Sequence, residues 1–295
     1  MTKPLHIWRC GSFVFEQTRP LVMGVLNTTP DSFSDGGKYS NILDALYHAN
    51  SMLDLGADII DVGGESTSPG SLEVSPAEEL NRVLPVVKAL VGEGICVSVD
   101  SRHPEVIEAC LGEGASIIND ITGFTNAAMR DLAQKSTAGC VVMHMQGTPS
   151  TMQRNPLYND VGEEVSEFLL SQARELTQCG VKSERICLDP GPGFGKTHEQ
   201  NLQLLRSTDH FSRLSLEETL KDEPGSNQPF LLMSAWSRKR FIGNITGAKI
   251  PSERVVGSVA VALYTVSKGA GVLRVHDVGA TVEALKIFNE INGWE

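Results

Sequence analysis

Eight short runs in this 295-residue chain are almost continuously apolar, and the segments between them carry apolar residues at helical spacing. The runs are LVMGVLN (21–27), ADIIDVG (57–63), ICVSVD (95–100), SIIND (116–120), CVVMHM (140–145), RICLD (185–189), FLLMS (230–234) and VLRVH (272–276). A parallel strand is covered on both faces, so its sequence stays apolar instead of alternating. Helical patterns occupy 41–55, 76–91, 104–113, 126–135, 161–179, 199–206, 252–268 and 279–291. Ser75-Pro76 supplies an N-cap and a first-turn proline, with Glu78 and Glu79 behind them to complement the helix dipole. Gly56, Gly114, Gly180 and Gly269 fall where a left-handed C-cap favours glycine.

Eight strand–helix units predict a closed (β/α)8 TIM barrel, a single domain running from about residue 20 to 292 within 1–295. Periodicity alone also allows an open doubly wound sheet. Residues 5–17 read as a β-hairpin that caps the N-terminal mouth of the barrel. Residues 207–229 are polar and read as an extension before the seventh strand, on the side away from the chemistry.

Composition narrows the class of partner. A net charge of −11 disfavours nucleic acid and anionic membranes, so an anionic substrate would need a locally positive site. The N-terminus has no uninterrupted apolar segment of the signal-peptide kind, and no run reaches the length of a membrane span. The six cysteines form no C-x-x-C pair and read as buried, reduced thiols of a cytoplasmic protein.

In such a barrel the reactive groups sit at the C-terminal ends of the strands. Polar residues interrupt the apolar runs at those ends: Asn27, Glu65-Ser66-Thr67, Asp100, Asn119-Asp120, Asp189, Ser237-Arg238-Lys239, Arg274 and His276. They divide by charge. Asp100, Asn119 and Asp189 suit a ligand edge rich in N–H donors, such as an aminopyrimidine. Arg238, Lys239, Arg274 and His276 could hold a diphosphate, with Asn27 offering an oxygen to a magnesium ion. The stretch DPGPGFGKT (189–197) lacks phosphate-loop spacing and reads as a loop that leans Phe194 and Lys196 over a ligand. His144 has no metal-spaced partner, His48 and His103 read as solvated, and Trp236 reads as either packing or stacking. Asp31 and Asp35 read equally as turn formers or as catalytic groups.

Taken in order, MGVLNTTPDSFSDGGKY (23–39), DIIDVGGEST (58–67), VSVDSRHPEVI (97–107), SIINDITGF (116–124), VVMHMQGTPSTMQ (141–153), LDPGPGFGK (188–196), SRK (237–239) and RVHDV (274–278) resemble the dihydropteroate synthase family. The resemblance implies condensation of a pterin diphosphate with p-aminobenzoate in folate biosynthesis. It implies pterin contacts at Asp100, Asn119, Ile121, Met143, Asp189 and Lys239, with Asp100, Asp189 and Lys239 as the catalytic set. It implies a diphosphate site at Asn27, Arg274 and His276, with Asn27 as the Mg2+ ligand. Thr67, Pro69, Phe194, Ser237 and Lys239 would shape the p-aminobenzoate site, loops 28–38 and 63–75 would close over it, and the enzyme would be a homodimer through its outer helices.

Three departures bear on that expectation. Ser68 stands where the family usually has an arginine that helps hold the anion, and loss of such a charge-assisted contact costs about 1.5–3 kcal/mol unless Lys38 or Arg238 substitutes. Ala235 replaces a usual glycine at the pocket floor, and Pro192 replaces a common aromatic. The first two favour a rival reading, a catalytically weak pterin-binding paralogue. A methyltransferase barrel for reduced folates shares the acidic pocket but has no use for the 237–239 and 274–276 cations.

Overall fold

The computed structural model describes residues 6–28, 38–66, 73–216 and 228–292, with backbone only at 38–41. β1 (His6–Cys10) and β2 (Phe13–Gln17) pair antiparallel across a two-residue turn. Eight parallel strands then close a barrel: β3 (Leu21–Asn27), β4 (Ile59–Gly63), β5 (Val97–Asp100), β6 (Ile117–Asp120), β7 (Gly139–Met143), β8 (Ile186–Asp189), β9 (Leu231–Ser234) and β10 (Val272–Val275), in sequential order with β10 returning to β3. Closure decides against the open sheet.

The outer ring comprises α1 (Lys38–Asp54), α2 (Pro76–Gly92), α3 (Pro104–Gly112), α4 (Ala127–Lys135), α5 (Val161–Gln178), α6 (His198–Arg206), the single turn α7 (Thr208–Phe211), α8 (Arg240–Thr246), α9 (Val255–Ser267) and α10 (Val278–Asn292). α8, in the loop after β9, is an element the periodicity missed: seven residues are too few to display a helical repeat. The Ser75 hydroxyl accepts from the Glu78 amide, as its N-cap position predicts. The glycines after α1, α3, α5 and α9 hold φ of 103°, 103°, 92° and 99°, the left-handed geometry their places require. Of the 207–229 extension, 217–227 lie outside the described residues.

Side-chain parity along the strands builds the barrel in layers. Val22, Ile60, Val62, Ile118, Val142, Leu188, Leu232 and Leu273 face outward into the core beneath the helices. The alternate residues Met23, Ile59, Ile117, Val141, Cys187, Met233 and Val272 fill the interior floor together with Trp8 and Cys10 of the hairpin. The hairpin therefore plugs the N-terminal mouth, fixed by a 3.0 Å hydrogen bond from Trp8 Nε1 to the Arg185 carbonyl. All six cysteines are free and five are buried. One strand residue pair above that apolar floor, the inward positions turn polar.

Candidate active site

Continuing the same parity upward, the inward positions become Asn27 on β3, Asp61 on β4, Asp100 on β5, Asn119 on β6, Asp189 on β8 and Arg274 on β10. Strand pairing sets Asn27 beside Gly63, Gly63 beside Asp100, and Asp100 beside Asn119, so these groups ring one level of the rim. Above them opens a cavity of about 810 Å3, lined among others by Asn27, Asp100, Phe194, Ser237, Lys239 and His276.

The acidic and cationic sets expected to be separate are interleaved. Arg274 Nε donates to Asp61 Oδ2 at 2.6 Å, and its Nη2 donates to Asp100 Oδ2 at 2.6 Å. Asp61 is fully buried and also accepts from Asn119 Nδ2 at 3.2 and 3.3 Å. One carboxylate thus orients both Asn119 and Arg274. Sequence reasoning passed over Asp61 because it lies mid-strand, not at a strand end; its signal was a charge at inward parity in ADIIDVG. Burial acts to lower the pKa of Arg274, but Asp61 and Asp100 outweigh it and hold the guanidinium above its ordinary range.

Burial also raises the Asp100 carboxyl to about 7, opposed by Arg274 and reinforced by the charges of Asp61 and Glu79. Asp189 is raised by burial too, against the Gly191 amide, which donates to its Oδ1 at 2.8 Å. Lys239 is lowered to about 8 by burial and by Arg274, while Asp189 and Asp100 favour its charge. Its ammonium lies 4.4 Å from the centre of the Phe194 ring. Ile121, Met143, Met152 and Phe194 form one apolar cluster, so the walls expected at Ile121 and Met143 adjoin the expected acceptor wall at Phe194, and Met152 joins them.

Several expectations need correction. His276, expected among the groups that are cationic or can become so, is held neutral in the ligand-free site. Burial, then Arg274, Arg238 and Lys239, push it down to about 3, and its Nδ1 lies 3.1 Å from Ser237 Oγ. Ser237 accepts from the His276 amide as well, so it supports that residue. Arg238 lines the cavity with its guanidinium forked onto Asp277, with Nε at 2.9 Å. Lys196 lines the cavity, but its Nζ is turned beneath the loop. His103 is not solvated, since Nδ1 lies 2.6 Å from buried Glu79. Trp236 packs edge-on to Phe241 at 5.0 Å and faces the outer core, which resolves its role as packing. Thr67, Ser68, Pro69, Asp31 and Asp35 lie outside the described residues, as do the centres of the two loops expected to close.

No group of three or more His, Cys, Asp or Glu side chains among the described residues could hold a metal. Magnesium, however, is commonly held by one or two protein oxygens together with substrate phosphates and water. A single Asn27 oxygen at the rim fits that second arrangement.

A closed α/β barrel with a buried acidic pocket, a cationic rim and an apolar wall, all at the C-terminal face, is a barrel enzyme built for a polar ring that carries an anionic group. Residues 23–276 match the family described as pterin binding enzyme. The chain is 44% identical over 291 residues to a dihydropteroate synthase of Neisseria meningitidis serogroup B, covering 97% of this chain and 98% of that one. Among solved structures it is similar to Xanthomonas albilineans dihydropteroate synthase with 4-aminobenzoic acid, with a TM-score of 0.87, 38% identity and 99% of each chain covered. It is also similar to Burkholderia cenocepacia dihydropteroate synthase complexed with 7,8-dihydropteroate, with a TM-score of 0.85, 41% identity and 98% and 97% of the two chains covered. The chain belongs to the pterin-binding enzymes and, among them, to the dihydropteroate synthase family.

Proposed function

We propose that this chain condenses 6-hydroxymethyl-7,8-dihydropterin diphosphate with p-aminobenzoate, giving 7,8-dihydropteroate and diphosphate in folate biosynthesis. The observation that carries the proposal is the inward set Asp100, Asn119 and Asp189 at the strand ends, with Asp100, Lys239, Arg274 and His276 lining the cavity. The carboxylates accept from the N–H edge of the pterin, with Ile121 and Met143 against its faces. Asn27, Arg274 and His276 face the diphosphate. Asn27 would hold a magnesium ion, which would supply charge neutralisation to the leaving group.

The C–O bond to diphosphate breaks, leaving positive charge on the pterin methylene. Asp100 and Asp189 stabilise that charge by position alone. The neutral amine of p-aminobenzoate, held between Phe194 and Lys239, then forms the C–N bond and sheds one proton. No protein nucleophile is needed. Thr67, Pro69 and Ser237 complete the acceptor site in this proposal.

His276 adds a pH signature. Its ligand-free pKa lies near 3, and a diphosphate beside it favours the imidazolium. Binding then raises the pKa, so binding takes up a proton between the free-state and bound-state pKa values and strengthens as pH falls through the bound-state pKa toward 3. Calorimetry of inorganic diphosphate in buffers of different ionisation enthalpy should show up to one proton more uptake by wild type than by His276→Asn. Equal uptake would remove His276 from the anion site.

A homodimer through the outer helices is part of the proposal, supported by the exposed stripe Val256, Ala260 and Tyr264 on α9. A monomeric mass by light scattering would contradict it. Among the described residues no helix is long and apolar enough to cross a membrane, and the free cysteines support a cytoplasmic location. Growth of a folate-requiring strain lacking its own synthase tests the function: rescue supports it. Failure of a well-expressed, pterin-binding chain to rescue favours the weak paralogue.

A further inference from the structure

Beneath the loop that follows β8 sits a buried ammonium that the reaction does not use. Lys196 is 2% exposed. Its Nζ lies 2.9 Å from His144 Nδ1, 2.9 Å from the Gly191 carbonyl, 2.9 Å from the Phe194 carbonyl and 3.3 Å from the His144 carbonyl. Burial lowers the Lys196 pKa to about 7, and in its charged form three ammonium protons serve these four acceptors. Two of these belong to the segment after β7 and two to the loop that carries Phe194.

His144 is suited to this partner. Burial and the charge of Lys196 lower its pKa to about 3, so the imidazole is neutral and its Nδ1 can accept when the ring proton is on Nε2. The ring is itself fixed, edge-on to Phe168 at 5.0 Å. The loop also lies against the β7 segment too closely for other residues. At Gly191, φ is +65° and a Cβ would fall 1.9 Å from the His144 carbonyl oxygen, so glycine is required there. Two carbonyls turned inward at such a close approach need a donor, and Lys196 supplies it. From the outer side the loop is held by Asn201 Oδ1, which accepts from the Gly193 amide at 2.7 Å, and by Gln153 Nε2, which donates to the Gly193 carbonyl at 2.6 Å.

We infer that Lys196 is a positioning residue for the amine acceptor: by tying the Gly191 and Phe194 carbonyls to His144, it sets the Phe194 ring against Lys239. The inference rests on the acceptor site proposed above. On the pterin side the Asp189 backbone is fixed in β8 by strand pairing with Met143, and its carboxylate meets the loop at one hydrogen bond, from the Gly191 amide at 2.8 Å. The larger effect of Lys196 therefore falls on p-aminobenzoate, through the Phe194 ring whose carbonyl it holds.

Steady-state kinetics on the full chain tests this with a double-mutant cycle of Lys196→Met and Phe194→Leu, alongside thermal unfolding of each variant. Lys196→Met is expected to raise KM for p-aminobenzoate about tenfold or more while KM for the pterin diphosphate stays within about threefold, an effect of the order that one displaced contact produces. Because Lys196 works through Phe194, the double variant should be scarcely worse than Phe194→Leu alone. Additive effects, or equal rises in both KM values, would overturn the inference. If Lys196→Met does not fold, Lys196→Gln, which keeps two donors without the charge, carries the same cycle with the same criteria. A wild-type chain without turnover would refute the proposed function instead, a result distinct from either outcome of the cycle.

Discussion

Asp61→Asn is expected to lower kcat/KM by about 10²–10³-fold while leaving the barrel folded. Asp61 is the buried anion to which Arg274 Nε and Asn119 Nδ2 are both tied. Removing one partner of a buried ion pair costs about 3–5 kcal/mol, most of it from the charge left behind. Asparagine keeps the shape but offers one acceptor and a competing donor, so Asn119 loses its orientation and Arg274 must lean wholly on Asp100. The loss should appear in kcat as well as in KM, since the proposed reaction assigns Arg274 to the leaving group and Asn119 to the ring. A variant of native thermal stability with activity within about threefold of wild type would show that Asp61 does not organise the site.

The second large effect is expected at Lys239. Lys239→Met should reduce kcat/KM by about 10³-fold, the scale on which loss of one preorganised charge is felt in a water-excluded site. The direction of the accompanying pH change follows from its neighbours. Lys239 depresses the pKa of both Asp100 and Asp189, so without it both carboxyls titrate higher. Asp100, already raised to about 7, would be protonated over more of the neutral range and would lose its hold on the pterin N–H edge. The acid limb of the kcat/KM profile should therefore move to higher pH in Lys239→Met. A limb that stays in place or moves down would place Lys239 outside the electrostatics of the pair.

Strand ends were legible in the chain because covered parallel strands write themselves as apolar runs, and the polar residue that stops each run is a rim residue. That logic located Asn27, Asp100, Asn119, Asp189 and His276 at one level. It did not locate Asp61, because a strand-end rule ignores parity. Counting inward positions from Ile59 would have found it. The separation of the site into acidic and cationic halves was also a reading of composition without distance: Arg274 enters from β10 and reaches across to β4 and β5. Loop conformation was the other gap. Nothing in DPGPGFGKT distinguishes a lysine over the loop from one beneath it, because two of the four acceptors that capture Lys196 come from His144, just after β7 and some fifty positions earlier in sequence. The same holds for Arg238, whose partner Asp277 follows β10.

With serine at position 68, Arg274 and Lys239 are among the buried cations of the described rim; Arg274 is tied to Asp61 and Asp100, Arg238 to Asp277, and His276 is neutral before an anion binds. Activity would then rest on Arg274 and on protonation of His276, with the magnesium-bound diphosphate completing the charge balance. This is where a synthase and a binding paralogue part.

The most direct measurement is product formation by the purified chain supplied with 6-hydroxymethyl-7,8-dihydropterin diphosphate, p-aminobenzoate and Mg2+. The account predicts 7,8-dihydropteroate and diphosphate in equal amounts, with both lost when p-aminobenzoate is replaced by benzoate. Tight binding of the pterin diphosphate with no dihydropteroate formed would contradict it.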